Sequence, residues 1–258
     1  MEIKTVQAVV FSPCGGTLKA AGAVLLGMPQ TGTVHDRTRP DQRREELKFG
    51  PEDLAVLAFP VYGGYVPSFS PEIFQELSGQ KTPAVLLAVY GNREFEGALL
   101  DLDKLARERG FRPVAAAAAV AEHSMNTEIA AGRPDESDQA ALADFGRRIY
   151  ERLKAQNDLE SFSFETPGAY PDRPAGPKLR PETESETCID CGQCVTVCPV
   201  GAIPKDDPRV TNEPCISCMA CIQVCPVAAR SLQAPHLPKM MEWLKSVTAE
   251  RKNPQFFF

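Results

Sequence analysis

A chain of 258 residues, 43% of them hydrophobic, has the length for one ordinary domain with a small one beside it. Its 34 acidic against 28 basic residues leave a net charge of −6, which argues against a nucleic-acid-binding stripe and favours redox protein partners that present a basic docking face. No stretch approaches the roughly 18 apolar residues of a membrane span, and the N-terminus has no basic segment leading into a long apolar run, so a cytoplasmic chain with reduced thiols is expected.

Along residues 1–157, apolar β-branched runs alternate with amphipathic stretches, the pattern of an α/β domain with helices on a parallel sheet. Strands are expected at 5–11, 31–34, 54–59, 84–89 and 114–121, and helices at 17–26, 71–77, 96–109 and from 135 to about 155. Five parallel strands make a doubly wound sheet. The last helix opens on Pro134, Asp135 and Glu136, which suit a first turn, and repeats Leu142, Phe145, Ile149 and Leu153 at helical spacing.

From 158 to 186 the composition turns to Pro, Gly, Ser and Glu, with Pro167, Pro171, Pro174, Pro177 and Pro181 excluding a regular helix. This stretch is read as a linker to a small α+β domain at 187–235. In the remainder, 236–258, Leu237, Met240, Leu244 and Val247 form one helical stripe ahead of Phe256, Phe257 and Phe258. That apolar end should dock on the chain's own surface, since exposed apolar clusters are costly in water.

Eight of the nine cysteines lie between Cys188 and Cys225. Cys188, Cys191, Cys194 and Cys198 are spaced C-x2-C-x2-C-x3-C with Pro199 following, and Cys215, Cys218, Cys221 and Cys225 repeat the spacing ahead of Pro226. This is the bacterial ferredoxin run, twice over, in which the fourth cysteine of each run ligates the other cluster. The spacing therefore assigns Cys188, Cys191, Cys194 and Cys225 to one [4Fe–4S] cluster and Cys215, Cys218, Cys221 and Cys198 to a second. Zinc is the competing reading, but zinc sites use paired C-x2-C knuckles without the third cysteine or the trailing proline. With no acid, base or open ligand position in view, this half relays electrons and leans on its clusters to fold.

In the first domain, Ser12-Pro13-Cys14-Gly15-Gly16-Thr17 joins a strand to a helix and places hydroxyls and bare N–H groups at a helix N-terminus, an anion cradle. Two later loops fall at the same sheet edge, where open α/β sheets bind ligands: one from Pro60 through Tyr62, Gly63, Gly64 and Tyr65, the other Tyr90-Gly91-Asn92. Together these loops resemble a flavodoxin-like domain, and with the ferredoxin run the chain resembles the flavodoxin/ferredoxin fusion proteins of anaerobes. The resemblance implies FMN, its phosphate on Ser12, Cys14, Gly15, Gly16 and Thr17 and its ring between the two later loops. Cys14 departs from the Thr or Ser usual in the flavodoxin phosphate loop, and a thiol donates hydrogen bonds poorly. His123, in a fifth-strand loop that also resembles the family, reads first as a satisfied polar residue and otherwise as a neighbour of the flavin. The function expected is that of an electron carrier passing single electrons between two [4Fe–4S] clusters and FMN. A flavin-dependent reductase of a small substrate and a ferredoxin with an FMN-free docking domain are the alternatives.

Overall fold

The computed structural model describes residues 2–156, 158–159, 162–172 and 179–258; Asn157, Pro174 and Pro177 of the expected boundary and linker lie outside them. The first part runs β1 (Thr5–Val10), α1 (Gly16–Leu26), β2 (Thr33–Asp36), β3 (Leu47–Phe49), β4 (Asp53–Pro60), α2 (Ser70–Gln75), β5 (Leu77–Gly79), β6 (Thr82–Tyr90), α3 (Ala98–Glu108), β7 (Phe111–Val120) and α4 (Glu136–Lys154). The second part runs β8 (Pro181–Thr183), α5 (Gln193–Val197), α6 (Ala220–Gln223), β9 (Arg230–Leu232), α7 (Leu237–Val247) and β10 (Gln255–Phe257).

The main sheet has the order β10-β7-β6-β4-β1-β2. Its five parallel strands, counted among themselves, read 2-1-3-4-5, which is the flavodoxin-like order. β4, β6 and β7 are apolar almost end to end because helices cover both faces of a parallel sheet. On one face α4 lays Leu142, Phe145, Ile149 and Leu153 into the core, as their spacing predicts. A reciprocal cap starts that helix: Asp135 accepts from Asp138 N at 3.0 Å, and Asp138 accepts from Asp135 N at 3.0 Å.

The expected count of five strands is corrected to six. The C-terminal β10 pairs antiparallel with β7, Gln255 with Ala118, Phe256 with Ala117 and Phe257 with Ala116. Alternation along a strand sends the phenylalanines to opposite faces. Phe256 and Phe258 lie 4.8 and 5.3 Å from the ring of Phe145, while Phe257 faces Phe95 at 6.2 Å. The alanine run of β7 leaves room for these rings, so the apolar tail docks as a strand.

Around Ala169 and Tyr170, the described part of the Pro-rich stretch lies along the first domain, with Ala169 N donating to Glu96 O at 3.3 Å. Tyr170 stacks on Tyr65 at 5.9 Å and donates its hydroxyl to Asp101 at 3.0 Å. β8 pairs antiparallel with β9, so the small domain's own sheet begins at Pro181, ahead of the boundary expected at 187. No helix among the described residues is long and apolar enough to cross a membrane.

Candidate functional site

Cys188, Cys191, Cys194 and Cys225 line one cavity of the small domain, and Cys198, Cys215, Cys218 and Cys221 line another. These are the two sets that the spacing predicts. The first set is the outer one, with Cys191 exposed and Ile189 beside it 62% exposed; all four cysteines of the second are buried. Among the described residues no three His, Cys, Asp or Glu side chains converge as they would on a single metal ion.

The two cysteine runs fold by the same backbone rule. Positive φ occurs at Asp190 and Gly192 in the first and at the matching Ser217 and Met219 in the second, then again at Gly201 and Ala228 after each trailing proline. Such turns wrap three closely spaced cysteines around one space. They also free peptide N–H groups for sulfur: Ala202 N reaches Cys198 Sγ at 3.2 Å, Ser217 N reaches Cys215 Sγ at 3.5 Å, and Ala229 N reaches Cys225 Sγ at 3.2 Å. N–H donors of this kind tune a cluster's potential. Burial opposes a charge on Cys225, yet the N–H groups of Val227, Ala229 and Arg230 and the Arg230 guanidinium outweigh it and hold that thiol below its usual value.

The inner set is pressed against the carboxyl edge of the main sheet. Cys14 Sγ donates to Cys218 O at 3.0 Å, and Arg43, stacked 4.4 Å over Phe69, donates to Pro199 O at 2.7 Å. Ile216, Cys218 and Ala220 share one apolar cluster with Phe11, Tyr62 and Phe69. The Cys14 residue reaches solvent at its loop, but its thiol points inward; desolvation, then Cys221 and Glu122, push it up to about 12.

Every loop residue expected at the flavin site is found at this edge. Gly15 takes the left-handed conformation at φ 84°, so the first N–H groups of α1, from Gly16 and Thr17, open toward the loop. The Ser12 hydroxyl accepts from Leu18 N at 2.9 Å. Beyond Pro60, the last residue of β4, Gly63 and Gly64 turn the chain between the bridged Tyr62 and Tyr65. Tyr62 is desolvated beside Cys218 and Cys14, which raises its hydroxyl well above the usual value. Tyr90 is buried against Phe95. Asn92, also buried, donates to Thr248 O at 2.9 Å and Glu250 O at 2.8 Å and accepts from Lys252 N at 3.0 Å. The His123 ring lies over Gly91, where an added Cβ would meet it at 2.4 Å, and its Nδ1 accepts from Met125 N at 3.2 Å. Burial, then Arg93, lower His123 to about 4.

Residues 180–226 match the family model described as a 4Fe-4S dicluster domain. They form a ferredoxin-type iron–sulfur domain. The flavodoxin-like sheet and this domain together give the organisation of a flavodoxin/ferredoxin fusion. Among solved structures, the chain is similar to a flavodoxin from the domain Archaea at 15% identity, covering 58% of this chain and 99% of that one with a TM-score of 0.40. It is similar also to a Streptococcus pneumoniae flavodoxin at 16% identity, covering 57% and 99% with a TM-score of 0.40, and to a flavodiiron core from Synechocystis at 13%, covering 58% and 36% with a TM-score of 0.40. No curated protein matches the chain.

The residues fit FMN unevenly. The phosphate end fits, since the left-handed Gly15 and the start of α1 offer unshared N–H groups beside Ser12. At the ring end the chain's own groups stand in the expected places, with Tyr65 under Tyr170, Asn92 tied to the C-terminal segment and Gly91 under His123. A separate open cavity of about 430 Å³ adjoins Asn92, between Glu128, Arg133, Lys245, Thr248 and Arg251, and its cations are paired with Glu128, Asp135 and Asp138. Three contributors escaped the sequence reading: Arg43, Arg230 and the segment around Lys252. Each acts across a long sequence separation, and nothing local marks it.

Proposed function

We propose that the chain is an electron carrier in which Cys188, Cys191, Cys194 and Cys225 hold an outer [4Fe–4S] cluster and Cys198, Cys215, Cys218 and Cys221 an inner one. The observation that carries this reading is the pair of cavities, each lined by four cysteines, three from one run and one from the other. Exposure at Ile189 and Cys191 makes the outer site the port for a redox partner, and burial of the inner site against Cys14 and Tyr62 makes the sheet edge the other terminus. Of the residues that the resemblance implies for the FMN phosphate, the Gly16 and Thr17 N–H groups and the Ser12 hydroxyl would hold it, since the Gly15 N–H is given to Ser12 O at 3.2 Å and the Cys14 thiol to Cys218 O at 3.0 Å. When bound, FMN supplies a two-electron store that exchanges electrons singly. The chain's own contribution is insulation: Phe11, Tyr62 and Phe69 keep water from the junction, and Arg43 ties the domains across it.

The ties of Asn92, His123 and Tyr65 favour one other reading, a ferredoxin whose flavodoxin-like domain docks a partner and holds no flavin. Titrating the anaerobically purified chain with FMN, and following the quenching of flavin fluorescence, separates the two. Binding at about one FMN per chain that Gly15→Val abolishes supports the flavin reading. No quenching by the iron-loaded chain would leave the docking reading in place.

A further inference from the structure

Arg230 opens β9, and its side chain turns into the ferredoxin-type domain, leaving the residue 3% exposed. Its hydrogen-bond partners there are neutral oxygens. Nη1 donates to Thr183 Oγ1 at 3.0 Å and Pro208 O at 2.8 Å, and Nη2 donates to Thr211 Oγ1. Nε is buried with no hydrogen-bond partner among the described residues. A guanidinium is costly to take out of water without a compensating negative charge. The candidate for that charge is sulfur: Nη1 lies 3.9 Å from Cys194 Sγ, and Arg230 lines the outer cysteine cavity.

We propose that Arg230 is a counter-charge buried at the outer cluster site, a positioning residue that raises the reduction potential of that cluster. Accepting one electron from a one-electron donor makes a cluster more negative by one unit and breaks no bond. A fixed cation in a low-dielectric interior stabilises that reduced form more than the oxidised one. The inference rests on the reading of the two cavities as cluster sites.

The test is a redox titration of the full chain, purified anaerobically and followed by electron paramagnetic resonance, after iron and sulfide have been measured on every sample. In Arg230→Gln the outer cluster's potential is expected to fall by about 59 mV or more, a tenfold change in a one-electron equilibrium constant. Arg230→Lys, which keeps the charge, and Thr211→Val, which removes only a hydrogen-bond partner, are expected to stay within about twofold of the unaltered chain. Two unmoved potentials in a fully loaded Arg230→Gln overturn the inference. A fall in Arg230→Lys as large as that in Arg230→Gln also overturns it, because the role would then lie in the hydrogen-bonding fork. Should Arg230→Gln fail to assemble, Arg230→Lys decides alone: potentials like those of the unaltered chain support the inference and lowered ones overturn it. An unaltered chain without iron fails earlier, at the cluster reading itself.

Discussion

Ser217, Met219 and Ala228 hold positive φ without being glycine, at the places where the first cysteine run has Asp190, Gly192 and Gly201. Residues in this region concentrate at functional sites, where surrounding structure enforces them. Because Met219 already occupies the second-run counterpart of Gly192, Gly192→Ala is expected to cost only about 1 kcal/mol and to leave iron loading intact, as anaerobic chemical denaturation with iron analysis would show. His123 belongs to the same scale. Burial lowers it to about 4, below the unfolded value of 6.5, so between these values the unfolded chain binds the extra proton. Stability should therefore rise with pH from about 4 to 6.5 by up to about 3 kcal/mol from this group. Denaturation midpoints across that range should be steeper in pH for the unaltered chain than for His123→Gln; equal slopes would remove His123 as the cause.

At the scale of elements, α1 to α4 and the five parallel strands of the main sheet were legible from amphipathic stretches alternating with apolar runs, and α4 announced itself through Asp135 and its stripe, whereas the three-residue strands β3 and β5 were too short to show a pattern. The grouping of the cysteines around two cavities was legible for a similar reason, since short spacers leave few ways for three cysteines of one run to face one space. β10 was not legible as a strand. Three consecutive phenylalanines show no alternation, and only the alanines of β7, far away in sequence, reveal which edge receives them. At the ring end of the expected flavin site, Tyr170 and the Thr248–Lys252 segment lie against Tyr65 and Asn92, contacts from far along the chain that no local pattern marks. Phe256→Ala, which removes the stack on Phe145, is expected to destabilise the chain by about 2–3 kcal/mol in equilibrium denaturation. A loss under about 0.5 kcal/mol would mean that the tail contributes nothing to the sheet.

At the scale of the whole molecule, the ferredoxin-type domain is seated on the sheet edge through Cys14 and Arg43. Arg43 remains a cation at neutral pH although desolvation lowers it to about 10. Its stack on Phe69 and its bond to Pro199 O make it the latch between the domains. Arg43→Ala is expected to loosen the seat and raise the rate of Cys14 alkylation roughly tenfold, a change of about 1.4 kcal/mol in the opening equilibrium. Peptide mapping of the labelled chain measures it, and an unchanged rate would show that the apolar contacts of Ile216 and Cys218 hold the domain alone. The account stands on two clusters in series, an outer one open to a partner and an inner one against the sheet. Iron and acid-labile sulfide per chain after strictly anaerobic purification test it most directly. About eight of each is the predicted result. About four of each, or zinc in place of iron and sulfide, would contradict it.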